Sequence, residues 1–252
     1  TAYEISLGLV GSEMCIRDRL ITAGSGSLAI ISDNNVIAEK NIVVENDRRP
    51  KLRGICCLNN NYVLIGYTIR KASGDISLYS FICLIDNNLI PEWCISLNSS
   101  HYLLSSICCD NTHIYICGSI ENANKKDIVV GCLSKDGELK WLQVYDIGDS
   151  QGSGTSIIND HKYLYVVGLI DFYGFVLVIN KNNGEIVDGY LIGTNNEKLG
   201  FYSIHLLNKG FLLGGMSMLN FRKSTGLLIY FPKNYSGQLT TVSYTHLRAH
   251  ET

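Results

Sequence analysis

The chain has 252 residues, 17% of them charged and 46% hydrophobic, with 24 Gly, only 3 Pro and a formal net charge of −2. That composition is too apolar for a disordered segment, and the near-neutral balance gives no electrostatic footprint for nucleic acid or an anionic membrane. No uncharged apolar run reaches the roughly 18 residues that a membrane-spanning helix requires, so the expectation is a globular chain with no transmembrane segment.

In chain order, residues 1–19 (TAYEISLGLVGSEMCIRDR) come first, and with 242–252 (VSYTHLRAHET) they differ in composition from everything between them. Leu9–Arg19 and Val242–Glu251 can be encoded by antisense strands of one short DNA, as an inverted adapter pair would be. Both segments therefore resemble translated sequencing adapter, and they are set aside from fold reasoning as fusion scars would be. Cys15, Met14, His246 and His250 then carry no functional weight. The expected domain is 20–241, a fragment whose own termini, with any export signal, are missing.

Inside 20–241 an apolar strand closing on Gly recurs: LITAG to Gly24, YVLIG to Gly66, IYICG to Gly118, LYVVG to Gly168 and FLLGG to Gly215. A period near fifty residues is the first organising signal. From Gly66 onward each copy follows a polar turn (Asn59-Asn60-Asn61, Asp110-Asn111, Asp160-His161, Asn208-Lys209-Gly210) and, before that turn, another apolar strand (GICCL, SICCD, TSIIN, YSIHLL). After the Gly the pattern predicts a loop and a third strand: SLAIIS, DISLYSFICLI, DIVVGCLS, GFVLVIN and TGLLIYF. A second tight turn follows at Asn34-Asn35, Asn87-Asn88, Asp136-Gly137, Asn183-Gly184 and Ser236-Gly237, then a fourth strand such as LIPEWCISL or ELKWLQVYD. Gly in Asp-Gly and Asn-Gly supplies the positive φ that two-residue hairpin turns need.

Four short strands per period make antiparallel meanders, and the continuous apolar runs of strands two and three demand burial on both faces. Stacking the meanders radially meets that demand and hides strand edges. The fold class is therefore all-β, a β-propeller of about four and a half four-stranded blades near 20–48, 52–98, 103–146, 155–193 and 201–241. Because propellers commonly have four to eight blades, a fragment of a larger ring is expected.

The segment DIVVGCLSKDGELKWLQVYD, Asp127–Asp146, preceded by HIYICGSI, resembles bacterial and archaeal propeller repeats of the quinoprotein-like or SBBP type. The resemblance implies structural repeat positions at Gly66, Gly118, Gly168 and Gly215, at Asp75 and Asp127, and at Trp93 and Trp141. Later copies depart from it, with Gly174 and Thr225 in place of the Asp and no Trp after Gly184. Such motifs specify architecture, not activity.

No catalytic, cofactor-binding or metal-binding residue is expected from the remaining chemistry. Cys56, Cys57, Cys83, Cys94, Cys108, Cys109, Cys117 and Cys132 contain no C-x-x-C, and their periodic placement in apolar strands reads as small buried hydrophobes. Unpaired, they would suit a reducing compartment. The family resemblance offers another reading, a vicinal disulfide against a quinone at Cys56-Cys57 or Cys108-Cys109, which the repetition in successive blades argues against. His101, His113, His161 and His205 form no ligand-spaced cluster. Asp75 and Asp127 read as turn-capping carboxylates. The Gly/Ser-rich stretch 148–154 lacks the GK[ST] of a phosphate cradle. The functional expectation is a non-catalytic binding or scaffold module of a larger protein, with an unidentified protein or carbohydrate partner. The alternative is a propeller enzyme of quinoprotein-dehydrogenase-like or glycoside-active type, whose site would gather from several blades at one mouth. No cofactor is expected, and the localisation does not follow from the residues.

Overall fold

A computed structural model of the chain describes residues 15–16, 19–23, 27–32, 35–41, 50–72, 75–97, 101–122, 125–193, 197–219 and 223–233. Gly24, Ser236-Gly237, 242–252 and most of 1–19 lie outside them, although Cys15–Ile16 pairs with Leu20 and Arg19, so strand pairing begins within the segment set aside above. The described residues are all strand and turn, and no helix among them is long and apolar enough to cross a membrane.

Among the described residues nineteen strands form five sheets in sequence order. The first blade is β1 (Cys15–Ile16), β2 (Arg19–Ala23), β3 (Ser27–Ser32) and β4 (Asn35–Asn41). The second is β5 (Lys51–Leu58), β6 (Asn61–Ala72), β7 (Asp75–Ile85) and β8 (Pro91–Ser96). The third is β9 (Tyr102–Cys109), β10 (His113–Asn122), β11 (Lys125–Ser134) and β12 (Leu139–Tyr145), and the fourth is β13 (Gly152–Asn159), β14 (Tyr163–Ile170), β15 (Tyr173–Asn180) and β16 (Ile186–Ile192). The fifth has three strands among the described residues, β17 (Glu197–Leu207), β18 (Gly210–Leu219) and β19 (Lys223–Pro232). Within every sheet the order follows the chain and all pairings are antiparallel, so each is a simple meander.

The core lies between the sheets. One apolar cluster joins Leu28 of the first blade to Ile55, Leu64 and Ile85 of the second. A second joins Ile65 and Ile82 to Leu104 and Ile116, a third joins Val130 to Val166 and Phe175, and a fourth joins Val167 and Val176 to Phe201 and Leu213. This is blade-on-blade packing, the architecture of a β-propeller. In the second to fifth meanders the first strand is the innermost, since β5, β9, β13 and β17 follow one another in contact.

Short polar bonds reinforce those apolar seams. Ser80 Oγ, fully buried on β7, donates to Tyr102 O at 2.9 Å and accepts from Leu104 N at 3.2 Å in the next blade. Thr155 Oγ1 donates to Phe201 O at 2.5 Å. A disulfide between Cys56 and Cys109 ties the second blade to the third, and another, Cys83–Cys94, links β7 to β8. The reading of the cysteines as apolar filler thus holds for Cys117 and Cys132, which are buried thiols, and not for these four. Neither vicinal pair is bonded within itself, because successive residues of a strand point to opposite faces.

The repeated glycines do not end their strands as the sequence pattern suggests. Gly66, Gly118, Gly168 and Gly215 sit inside β6, β10, β14 and β18, facing Leu52, Leu104, Gly154 and Phe201 of the inner strand. Immediately beyond that pairing the inner strand bulges, and the register skips Arg53, Ser105, Thr155 and Tyr202. The bulge drives the inner backbone against the glycine: a Cβ at Gly168 would lie 2.0 Å from Ser153 O, and one at Gly118 would lie 2.1 Å from Leu103 O. Absence of a side chain, not a turn conformation, is what these positions require. The turns between strands three and four do use positive φ, at Gly137 (+86°) and Gly184 (+75°), but their loops are longer than two residues.

Gly168→Ala is expected to lower unfolding stability by at least about 2 kcal/mol, since the inner strand must move to admit the methyl group. Gly226→Ala, which meets open space, is expected to be near neutral. Paired denaturant titrations check this; equal effects of the two substitutions would contradict the close-approach explanation.

Candidate functional site

The turns joining strands one and two, and strands three and four, leave each meander at the same edge of the sheet, so they gather at one face of the blade array. On this face Asp110 opens the β9–β10 turn. Its Oδ1 accepts from Thr112 N (3.0 Å), Thr112 Oγ1 (3.0 Å) and His113 N (2.9 Å), the short-range pattern that makes Asp a turn residue. Its Oδ2 accepts from Tyr115 Oη at 3.0 Å and from Lys181 Nζ at 2.7 Å. Lys181 belongs to the next blade, just past β15, and also donates to Asp160 O at 3.0 Å. Its side chain is only 11% exposed, and its ammonium lies 5.0 Å from the centre of the Tyr115 ring.

The same device recurs one blade on. Asp160 Oδ1 accepts from Lys162 N and Tyr163 N at 2.9 and 2.8 Å, and Oδ2 accepts from Tyr165 Oη at 2.7 Å. Lys233 of the fifth blade, just past β19, reaches Asp160 Oδ2 at 3.4 Å. An Asp-x4-Tyr in one blade therefore receives the lysine that follows the third strand of the next. Sequence reading met Asp110 and Asp160 only as turn residues; the matched spacing to Tyr115 and Tyr165, with a Lys after each third strand, was the signal available. The second blade carries Asn59 and Asn60 in the corresponding turn and no carboxylate.

Electrostatically these are spent groups. Burial pushes the Asp110 carboxyl upward, but Lys181, the Thr112 and His113 amides and Tyr115 together outweigh it and hold it far below the usual range. Burial acts likewise on Asp160, and the Tyr163 and Lys162 amides with Tyr165 and Lys233 bring it down to about 2. Burial first, then the adjacent carboxylate, raises the Tyr115 and Tyr165 hydroxyls well above their ordinary value. A carboxylate ionised and saturated with donors is a poor proton shuttle, and such a phenol is a poor nucleophile.

The outer strand adds a second seam. Trp141 lies over Gly184 in the following blade's turn, where a Cβ would come 2.8 Å from the indole, and its Nε1 donates to Lys181 O at 3.0 Å. Gln143 Nε2 donates to Asn183 O at 3.2 Å and Tyr145 Oη to Gly184 O at 2.6 Å. Trp93 occupies the matching register, opposite Leu84 as Trp141 is opposite Cys132, and lies against Gly137 of the third blade. Its Nε1 is buried with no partner among the described residues. In the fourth blade Asp188 stands at this register, bonded to Tyr190 Oη and Gly189 N.

The two aspartates singled out by the repeat are not equivalent. Asp127 pairs opposite Ile120, two residues beyond Gly118, whereas Asp75 pairs opposite Ala72, six beyond Gly66. The β6–β7 hairpin is longer, so Tyr79 takes the register place of Asp127 and Asp75 lies four residues outward. In the fourth blade that register place belongs to Tyr173 rather than Gly174, and in the fifth to Thr225. Asp127 is buried, accepts from Ile147 N at 3.4 Å and lies 3.5 Å from Lys125 Nζ, so it anchors the connection to the next blade. Asp127 sits at the sheet edge opposite the Asp–Lys pairs, and the backbone of Asp75 lies toward that same edge.

Between the paired turns runs a groove of about 810 Å³, floored by Asp110, Asp160, Lys181 and Lys233 and edged by Asn111, Asn159, His161 and Asn208. A smaller recess of about 310 Å³ continues it toward Trp141. Asn159 Nδ2 is out of contact with solvent and has no hydrogen-bond partner among the described residues. No group of three or more potential metal ligands occurs among those residues.

Fold and seams together define a β-propeller. No protein-family model and no curated protein matches the sequence. Among solved structures, the chain is similar to quinohemoprotein alcohol dehydrogenase from Comamonas testosteroni (TM-score 0.58, 8% identity, 95% of this chain and 43% of that one). It is also similar to the subtype N11 neuraminidase-like protein of A/flat-faced bat/Peru/033/2010 (0.51, 10%, 87% and 71%). The extracellular domains 1-2 of Drosophila semaphorin 1b give 0.51, 7%, 85% and 63%. At such identities the likeness is one of fold alone, and the chain spans less than two thirds of the dehydrogenase and semaphorin chains.

Because both folded carboxyls lie below the ordinary Asp value of about 3.9, the unfolded chain binds more protons in acid. Their stabilisation is complete above that value and is lost as pH falls through about 2 at Asp160. Lys181→Met is expected to raise the Asp110 pKa and shift the acid-unfolding midpoint to higher pH. Carboxyl carbon NMR titration and circular dichroism check this, and an unmoved midpoint would show that the pair contributes nothing.

Proposed function

We propose that the chain is a non-catalytic propeller module that binds a polar ligand, a carbohydrate or a protein segment, along the groove across its third, fourth and fifth blades. The observation that carries this reading is the groove of about 810 Å³, whose charged floor of Asp110, Asp160, Lys181 and Lys233 is satisfied internally while its rim offers free amide and imidazole groups. The exposed Asn111, His161 and Asn208 supply adaptable donors and acceptors along that rim. Recognition by amides with neutralised charge beneath suits a polyhydroxylated or main-chain-rich ligand better than a strongly ionic one.

The saturated carboxylates support binding over proton-transfer chemistry. Two disulfides suit an oxidising setting, such as the cell surface or secreted space, better than a reducing cytosol. The dehydrogenase likeness supports the fold and adds no cofactor to this reading.

Titration calorimetry against oligosaccharides of cellulose, chitin, xylan and pectin, and against a library of unstructured peptides, tests the proposal. One of these probes is expected to bind, and the double substitution Asn111→Ala, His161→Ala at the exposed rim is expected to weaken it at least tenfold while leaving the melting temperature unchanged. Binding unaffected by that double substitution would move the site elsewhere. Turnover of an alcohol or a glycoside by the purified chain would overturn the non-catalytic reading.

A further inference from the structure

The outward face of the fifth blade is built like an interface, and no further sheet among the described residues covers it. In the second, third and fourth blades the residues opposite the third and first positions before the repeat glycine face the next blade. Leu84 and Ile82 hold these places in the second blade, Cys132 and Val130 in the third, and Val178 and Val176 in the fourth. Five of these six are 0–5% exposed and Val178 is half-buried against its neighbour. The same register in the fifth blade gives Tyr230 opposite Leu212 and Leu228 opposite Gly214, and these are 52% and 43% exposed. Tyr202, at the bulge position from which Thr155 reaches the following inner strand, is 45% exposed. The alternate residues Leu227, Ile229 and Phe231 are buried against the fourth blade, so the strand itself is correctly seated.

We propose that this face is the docking surface for a further four-stranded blade of the same repeat, carried on a longer form of this polypeptide. The occupant is identified by continuity. At each of the three preceding seams the equivalent face is covered by the near face of the next meander, with an inner-strand Leu, Ile or Phe inserted into it. The face also dictates features of its partner. Gly214 stands where Ile65, Cys117 and Val167 stand, so the incoming blade must place a large apolar side chain over it. Leu207 replaces Asp110 and Asp160, so the incoming third strand has no carboxylate to meet and need not be followed by Lys. This inference rests on the blade packing and is independent of the groove reading.

Hydroxyl-radical footprinting of the 252-residue chain, and of the polypeptide extended to the natural stop codon of its gene, tests it. In the 252-residue chain Tyr230 and Leu228 are expected to oxidise at the rate of exposed residues, with Phe81 and Tyr115 slow. In the extended polypeptide Tyr230 and Leu228 are expected to slow at least tenfold. A Leu228→Lys, Tyr230→Lys variant is expected to leave the melting temperature of the 252-residue chain unchanged and to lower that of the extended one. Equal oxidation in both polypeptides, an extension without a further meander, or a dimer of the 252-residue chain that protects Tyr230 by itself would each overturn the proposal.

Discussion

The burial of one sheet against the next is the constraint from which the other features derive. Strands such as β6, β7 and β11 are apolar on both faces, so a single meander in water would leave one whole face exposed, and only stacking between two neighbours removes both from solvent. Stacking around an axis crowds the inner strands, and the bulges at Arg53, Ser105, Thr155 and Tyr202 are where that crowding is relieved. The glycines opposite exist because the displaced backbone occupies the space a Cβ would fill.

The polar chemistry follows from the same stacking. Adjacent meanders bring the turn after the third strand of one blade beside the first turn of the blade before it. Lys181 and Lys233 are therefore placed to meet Asp110 and Asp160, and Gly184 to lie under Trp141. These contacts hold blades in register and simultaneously shape the groove, whose floor is neutralised and whose rim is amide-rich. A groove built this way gains rigidity from the seams, and its carboxylates are occupied within them.

Much of the fold was legible in the sequence because the repeat is regular. The meander order, the positive-φ glycines at 137 and 184, and the register match of Trp93 with Trp141 all depend on local residue type and spacing. What was not legible depends on backbone geometry or on contacts between blades. The glycines read as strand ends because a bulge in a different strand leaves no mark in their own. Asp75 aligned with Asp127 by position before a strand, but hairpin length, which sequence spacing conceals across the β6–β7 turn, separates them. The paired cysteines read as apolar filler, since Cys56 and Cys109 are 53 residues apart and meet only across a seam. The Asp–Tyr–Lys device was likewise split between blades, though its spacing repeats.

If stability resides in the seams, it should be graded along the chain, highest in blades held on both sides and lowest where a face is open. Native-state hydrogen exchange measures this directly. The account predicts that amides of β10 and β11, in the third blade, exchange only through the largest opening free energies, and that those of β18 and β19 exchange through markedly smaller ones. Protection in the fifth blade equal to that in the third would contradict it.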